Sequence, residues 1–172
     1  MSKTTTLEIE VAIMGYFGVR QNLIVPNASW GAASGLHECD LISLSVAGYA
    51  TEIEIKVSVS DLKKDKEKRH GHQHNHIRYL FFAVPLKMKD KALAEIPERA
   101  GLYTVEKKWY QNLLCPKGKW VYYVRIEKGC EPNKSAVKWT EAERFNLARL
   151  GTMRIHGLKK KLMNKIVNNS SD

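Results

Sequence analysis

Asp40, Glu54 and Lys56 are the residues of this 172-residue chain whose types and spacing carry the clearest chemical signal. The stretch TEIEIKV, from Thr51 to Val57, alternates polar and apolar residues as a strand with one buried face does. Ile53, Ile55 and Val57 fall on one face, and Glu52, Glu54 and Lys56 on the other. Residues two apart on a strand point the same way, so Glu54 and Lys56 stand side by side. Asp40 opens the preceding strand, Asp40–Ser45, and lies beside them if the two strands pair as a hairpin. Two converging carboxylates make an oxygen site for Mg²⁺ or Mn²⁺, completed by water and a substrate phosphate. An ammonium next to such a metal helps orient a water and stabilises charge developing on phosphorus. That is the equipment for hydrolysing a phosphodiester. By spacing alone, the commoner arrangement of alternating Glu and Lys is a solvated cross-strand ladder.

A third carboxylate comes from the first element. From Thr6 to about Phe17 the pattern fits a helix, with Leu7, Ile9, Val11, Ile13, Met14 and Phe17 spread over one broad apolar arc. Glu10 falls inside that arc, where a carboxylate needs a cation, hydrogen bonds or a metal to offset its desolvation, unless the helix turns it to water. Leu23–Pro26 is a short strand and Ala28–Gly35 a small-residue loop. Ser58, three residues before Asp61, opens a helix over the charged stretch DLKKDKEKR, read as a solvated face in which Asp65 supports Arg69. Arg78–Pro85 is a near-continuous apolar run, as in a buried central strand. Gly101–Glu106 and Trp120–Glu127 read as strands separated by a turn at Cys115–Gly118. Thr140 and Glu143 form a capping box for a C-terminal helix to about Lys165. This order indicates an α/β chain with one mixed sheet.

Composition narrows the functional classes. Twenty-eight Lys and Arg against 18 Asp and Glu give a net charge of +10, which favours a polyanionic partner, nucleic acid first. Much of that excess sits in the C-terminal helix, on Arg144, Arg149, Arg154, Lys159, Lys160, Lys161 and Lys165. No apolar run reaches the ~18–20 residues of a membrane span. The first residues show no cationic-then-apolar leader, so a cytoplasmic location is expected. Cys39, Cys115 and Cys130 are too few and scattered for a disulfide framework, and no C-x-x-C zinc or redox motif occurs. Phosphate-loop, dinucleotide-binding and serine-hydrolase signatures are absent as well.

Asp40, thirteen residues, then Glu54-Ile55-Lys56 resembles the D…(D/E)-x-K signature of the PD-(D/E)XK nuclease superfamily. The flanks sharpen the likeness. Val25-Pro26-Asn27, CDLISL (Cys39–Leu44), EIEIKVSVSDLKKDK (Glu52–Lys66), YLFFAVP (Tyr79–Pro85) and GLYTV (Gly101–Val105) together resemble the MmcB-type DNA-repair nuclease family. The likeness runs from about Leu7 to Glu106. It implies a restriction-endonuclease-like core over residues 1–139, a central mixed sheet flanked by helices, with residues 140–172 as a basic helix and tail. It also implies Asp40 and Glu54 as metal ligands, the Ile55 carbonyl as a further one, Lys56 as catalytic lysine and Glu10 as a supporting glutamate. The implied partner is DNA, cut in line so that the 3′ oxygen leaves and a 5′ phosphate remains. Many members of the superfamily act as dimers, so a homodimer is among the expectations. Cys39 stands where the signature has proline. The stretch Arg69–His76 replaces an aromatic-rich segment of the family, which bears on the substrate-facing surface.

In that stretch His70, His72, His74 and His76 alternate with other residues. They read as a polar loop, as a DNA-facing surface, or as a transition-metal site built from His70/His74 and His72/His76 pairs one helical turn apart. The four tryptophans read as packing residues. Two rival functions follow: a non-catalytic nucleic-acid-binding protein of the same fold, and a histidine-based metal-binding protein.

Overall fold

The computed structural model describes residues 3–29, 31–65, 72 and 74–169. His70, Arg69 and Trp30 therefore lie outside the described residues. Helix α1 (Thr6–Phe17) precedes β1 (Leu23–Ala28), β2 (Cys39–Leu44) and β3 (Ala50–Ile55). Then come α2 (Val59–Asp65), β4 (Ile77–Pro85), a single 3₁₀ turn (Leu86–Met88), α3 (Lys89–Glu95), the strands β5 (Gly101–Asn112) and β6 (Cys115–Lys128), and α4 (Glu141–Asn169). The six strands form one sheet in chain order. β1, β2 and β3 pair antiparallel, β3, β4 and β5 run parallel, and β6 returns antiparallel. The fold is thus α/β with a mixed sheet, as the element order suggested.

Strand pleating sorts the core into two faces. Leu41, Ile53, Ile55, Phe81, Ala83, Tyr103 and Val105 face α1, which buries Ile9 and Ile13 against them. Full burial of two such side chains contributes roughly 3–6 kcal/mol. The apolar arc of α1 is narrower than its composition implied, because Leu7 and Val11 are 66% and 56% exposed. On the opposite face Leu62, Leu80, Phe82, Met88, Ala92 and Leu102 pack under α2 and α3. Beside them Val25, Ile42, Trp139 and Leu147 seat the start of α4.

Local chemistry sets the boundaries. Thr5 and Glu8 close a capping box on α1, the Glu8 N–H donating to Thr5 Oγ1 (3.3 Å) and the Thr5 N–H to Glu8 Oε2 (2.8 Å). Thr140 and Glu143 do the same for α4. In α2 the Asp61 N–H donates to Ser58 Oγ (3.2 Å). The turn between β5 and β6 falls at Leu113–Leu114, not at Cys115–Gly118. Asn112 Oδ1 accepts from the N–H groups of Leu114 and Cys115 (3.0 and 2.8 Å), which folds the chain back two residues before the Pro-Lys-Gly motif. Pro116 then lies in the edge strand β6, where its missing N–H has no ladder partner to lose.

Beyond Val105 and its partner on β4, β5 and β6 continue as a two-stranded arm. Trp109 and Trp120 face each other across it with ring centres 5.1 Å apart, each about half exposed. These two are surface residues, whereas Trp139 is buried as a packing residue and donates its indole N–H to the His76 carbonyl (2.8 Å). From Thr152 onward the described side chains of α4 are exposed or half-exposed. Among the described residues no helix is long and apolar enough to cross a membrane.

Candidate active site

β3, β4 and β5 are parallel, so their C-terminal ends share one edge of the sheet, and Glu54, Ile55 and Lys56 sit at that edge. β2 brings Asp40 alongside, because Leu41 pairs with Ile53 and Ile42 with Glu52. The Ile55 N–H donates to Asp40 Oδ2 (2.8 Å), and the Asp40 N–H reaches Glu54 Oε1 at 3.5 Å. A strand residue sends its N–H and carbonyl to the same side, so the Ile55 carbonyl also leaves toward β2. Lys56 Nζ lies 2.6 Å from Glu54 Oε2, 2.9 Å from Asp65 Oδ1 and 3.5 Å from Asp40 Oδ2. Sequence spacing anticipated three of these four side chains.

The face carrying Glu52, Glu54 and Lys56 is not solvated. Glu52 and Glu54 are completely buried and Lys56 is 7% exposed, with Asp65 of α2 and His72 packed against them. An exposed Glu/Lys ladder is therefore excluded. Asp40 alone keeps an open side, its side chain 40% exposed. Burial works against the charge on Lys56, but the carboxylates of Glu54, Asp40 and Asp65 outweigh it and hold the ammonium above its usual pKa. At neutral pH Lys56 is a cation.

Glu10 comes from α1 on the opposite face and is half-buried. Its carboxyl is pushed up by burial and by the charge of Asp40, so the two carboxylates sense each other. Among the described residues Glu10 makes no hydrogen bond or ion pair, and the structure does not join it to the Asp40–Glu54–Lys56 contact set.

Four further residues extend the cluster: sequence reasoning named His72 only within the histidine run and Glu52 only as a neighbour on the strand face, and it missed Asp65 and His37. Asp65 was expected on a solvated helix face but is 6% exposed and turned inward with Leu62, three residues earlier on α2. That i, i+3 pairing was the available signal. His72 Nε2 lies 2.6 Å from Asp65 Oδ2, and its Nδ1 lies 2.7 Å from Glu52 Oε1. His37 Nε2 meets the same Glu52 oxygen at 2.8 Å. Burial opposes the charge on His72, but the hydrogen bonds to Asp65 and Glu52, with the Glu52 and Glu54 charges, raise its pKa to about 9. Both ring nitrogens face carboxylate oxygens, so each donates a proton. Burial likewise raises the Glu52 carboxyl, and the two imidazoles reverse this and bring it below the usual range. His72 sits in a turn with φ +55° and His76 in the turn that leads into β4, so neither belongs to a helix, and the His70/His74 pairing falls on His70, outside the described residues.

Among the described residues four carboxylates (Asp40, Glu52, Glu54, Asp65) thus meet one ammonium and two imidazoles. Such a set of oxygens attracts a hard cation.

No protein-family model and no curated protein matches the chain. Among solved structures it is similar to SPO1766, a protein of unknown function from Silicibacter pomeroyi, with a TM-score of 0.59 and 17% identity over 96% of this chain and 95% of that one. At that identity the likeness concerns the fold alone.

Proposed function

We propose that this chain is a divalent-metal-dependent nuclease with a restriction-endonuclease-like core, hydrolysing phosphodiester bonds of DNA. The observation that carries the reading is the convergence of Asp40, Glu54 and Lys56 at the sheet edge, with the Asp40 side chain 40% exposed. The donor set is all oxygen: Asp40, Glu54 and the Ile55 carbonyl, with Glu10 near enough to feel the Asp40 charge. That chemistry suits Mg²⁺ or Mn²⁺.

Asp40 and Glu54 would hold the metal, and the hydrogen bond from the Ile55 N–H fixes the Asp40 carboxylate for that task. When bound, the ion supplies Lewis-acid polarisation of the phosphoryl group and lowers the pKa of a water. Lys56, kept protonated by its three carboxylates, does not act as a base. Its ammonium offsets the charge that builds on the phosphate oxygens during attack. Asp65 holds that ammonium from behind (2.9 Å), so its aim does not depend on substrate. The in-line course, with the 3′ oxygen leaving and a 5′ phosphate remaining, is the one that the sequence resemblance implies.

The β5–β6 arm supplies a surface for the polyanion. It rises from the same edge as Glu54 and Lys56, two strands away. With ~3.3 Å per residue and ~4.8 Å between strands, Trp109 stands roughly 20 Å from Lys56. Lys108, Lys117, Lys119 and Arg125 are exposed along it. A groove of about 570 Å³ at its base is lined by Lys87, Lys107, Lys108, Trp109 and Trp120. Cations interleaved with exposed indoles suit a nucleic-acid strand.

The test is cleavage of plasmid, single-stranded and branched DNA with Mg²⁺ or Mn²⁺. Lys56→Ala and Asp40→Ala should each lower the rate by ~10²-fold or more, the scale seen when one electrostatic contact to the reacting group is lost. Cleavage at an unchanged rate in both variants, or binding of DNA with no cleavage under any divalent metal, would overturn the proposal.

A further inference from the structure

We propose that His37, Glu52 and His72 form a second, chemically distinct metal site, of the kind that takes Zn²⁺. His37 Nε2 and His72 Nδ1 converge on one oxygen, Glu52 Oε1, at 2.8 and 2.7 Å. The three ligand atoms come from the loop before β2, the middle of β3 and the turn before β4, so only the folded chain assembles them. The set of two imidazoles and one carboxylate suits a borderline metal rather than Mg²⁺, and three protein ligands leave a fourth position for water.

Two further observations point to a ligand. The second oxygen, Glu52 Oε2, is fully buried and has no hydrogen-bond partner among the described residues. A buried carboxylate oxygen left so is costly, and a metal held by both Glu52 oxygens would satisfy it. In addition, the other ring nitrogen of His72 donates to Asp65 Oδ2 at 2.6 Å. That carboxylate–histidine support is the outer arrangement that orients an imidazole for a metal. A cavity of about 230 Å³, lined by Asp65, His72, Phe82 and Ile96 among others, offers a route in beside His72.

Ligands at ~2.0–2.1 Å in a tetrahedron lie about 3.3 Å apart. The imidazole nitrogens are 2.7 and 2.8 Å from Glu52 Oε1, so the site opens by only about half an ångström to admit the ion. The metal takes the places of the two protons now shared with Glu52, and His72 keeps its Nε2 proton on Asp65. Asp65 is also the partner of Lys56, so the second site steadies the lysine of the first.

The experiment titrates the untagged, chelator-treated full chain with Co²⁺, followed by its visible ligand-field bands, and then displaces it with Zn²⁺. Elemental analysis gives the stoichiometry. Expected are one tightly bound equivalent, a low-coordinate nitrogen–oxygen spectrum, and no displacement by millimolar Mg²⁺. His37→Ala, at the rim of the cluster, and Glu52→Gln should each weaken Co²⁺ binding by at least ~10-fold, as loss of even an outer-shell partner does. His76→Ala, outside the triad, should leave it unchanged. No tight Co²⁺ in the wild type, or binding lost in His76→Ala or in Asp40→Ala but kept in His37→Ala, would overturn the assignment. DNA cleavage is not the readout, so failure here is distinct from failure of the nuclease reading.

Discussion

Replacing Lys56 by methionine keeps most of the side-chain volume and removes one charge from the middle of the carboxylate cluster. Glu54 and Asp65, with side chains 1% and 4% exposed, then each lose their contact with that ammonium. At an effective dielectric of ~20, a contact at 2.6 Å is worth about 6 kcal/mol of gross attraction and one at 2.9 Å slightly less. Desolvation of the three ions consumes most of that. The net cost of removing one partner from a buried ion pair is ~3–5 kcal/mol, because the remaining charge stays buried. For a chain of this length that corresponds to a fall in Tm of roughly 10–15 °C. The double variant Glu54→Gln/Lys56→Met removes the Glu54 charge together with its partner, so it should recover at least ~2 kcal/mol relative to the sum of the two single changes. Urea unfolding at pH 7 without divalent metal measures all three. A cost below about 1 kcal/mol for Lys56→Met, or strict additivity in the cycle, would show that the cluster is solvated and that its charges do not depend on one another.

Two other outcomes are expected. Glu8 ties α1 to the arm, accepting from Lys107 Nζ and Tyr122 Oη, and with the backbone contact to Thr5 this lowers its pKa from 4.5 to about 2. A depressed carboxylate contributes stability above its unfolded value that is lost as pH falls through the folded one. Wild type should therefore lose stability between about pH 4.5 and 2, and Glu8→Gln should be less stable at pH 7 with a flatter acid profile; parallel profiles would be contrary evidence. Trp109→Ala should weaken binding of single-stranded DNA by about 1–3 kcal/mol if a base stacks there. Its far-UV circular dichroism should be unchanged, and equal affinity in wild type and variant would remove the arm from the DNA surface.

Signals local in the chain located most of the elements, though not α3 or the 3₁₀ turn before it, and one line of chemistry. Period-two alternation from Thr51 placed Glu54 beside Lys56, and the capping residues Thr140 and Glu143 placed the start of α4, because these depend on neighbours along the chain. Local signals also misled. The Pro-Lys-Gly motif suggested the turn of the arm, yet Asn112 captured two backbone N–H groups and turned the chain at Leu113. Whether the Glu52, Glu54 and Lys56 face meets water was undecidable from alternation, since both kinds of strand read alike. Tertiary structure decided it, by laying α2 and His72 over that face. The same packing drew Asp65 inward from a run of charges and joined His37 to Glu52 and His72 across 35 residues of chain. Side chains far apart in sequence meet only after strand order and helix placement are fixed. The network behind Lys56 is therefore a property of the folded sheet, while the pair at its centre was already written in the strand.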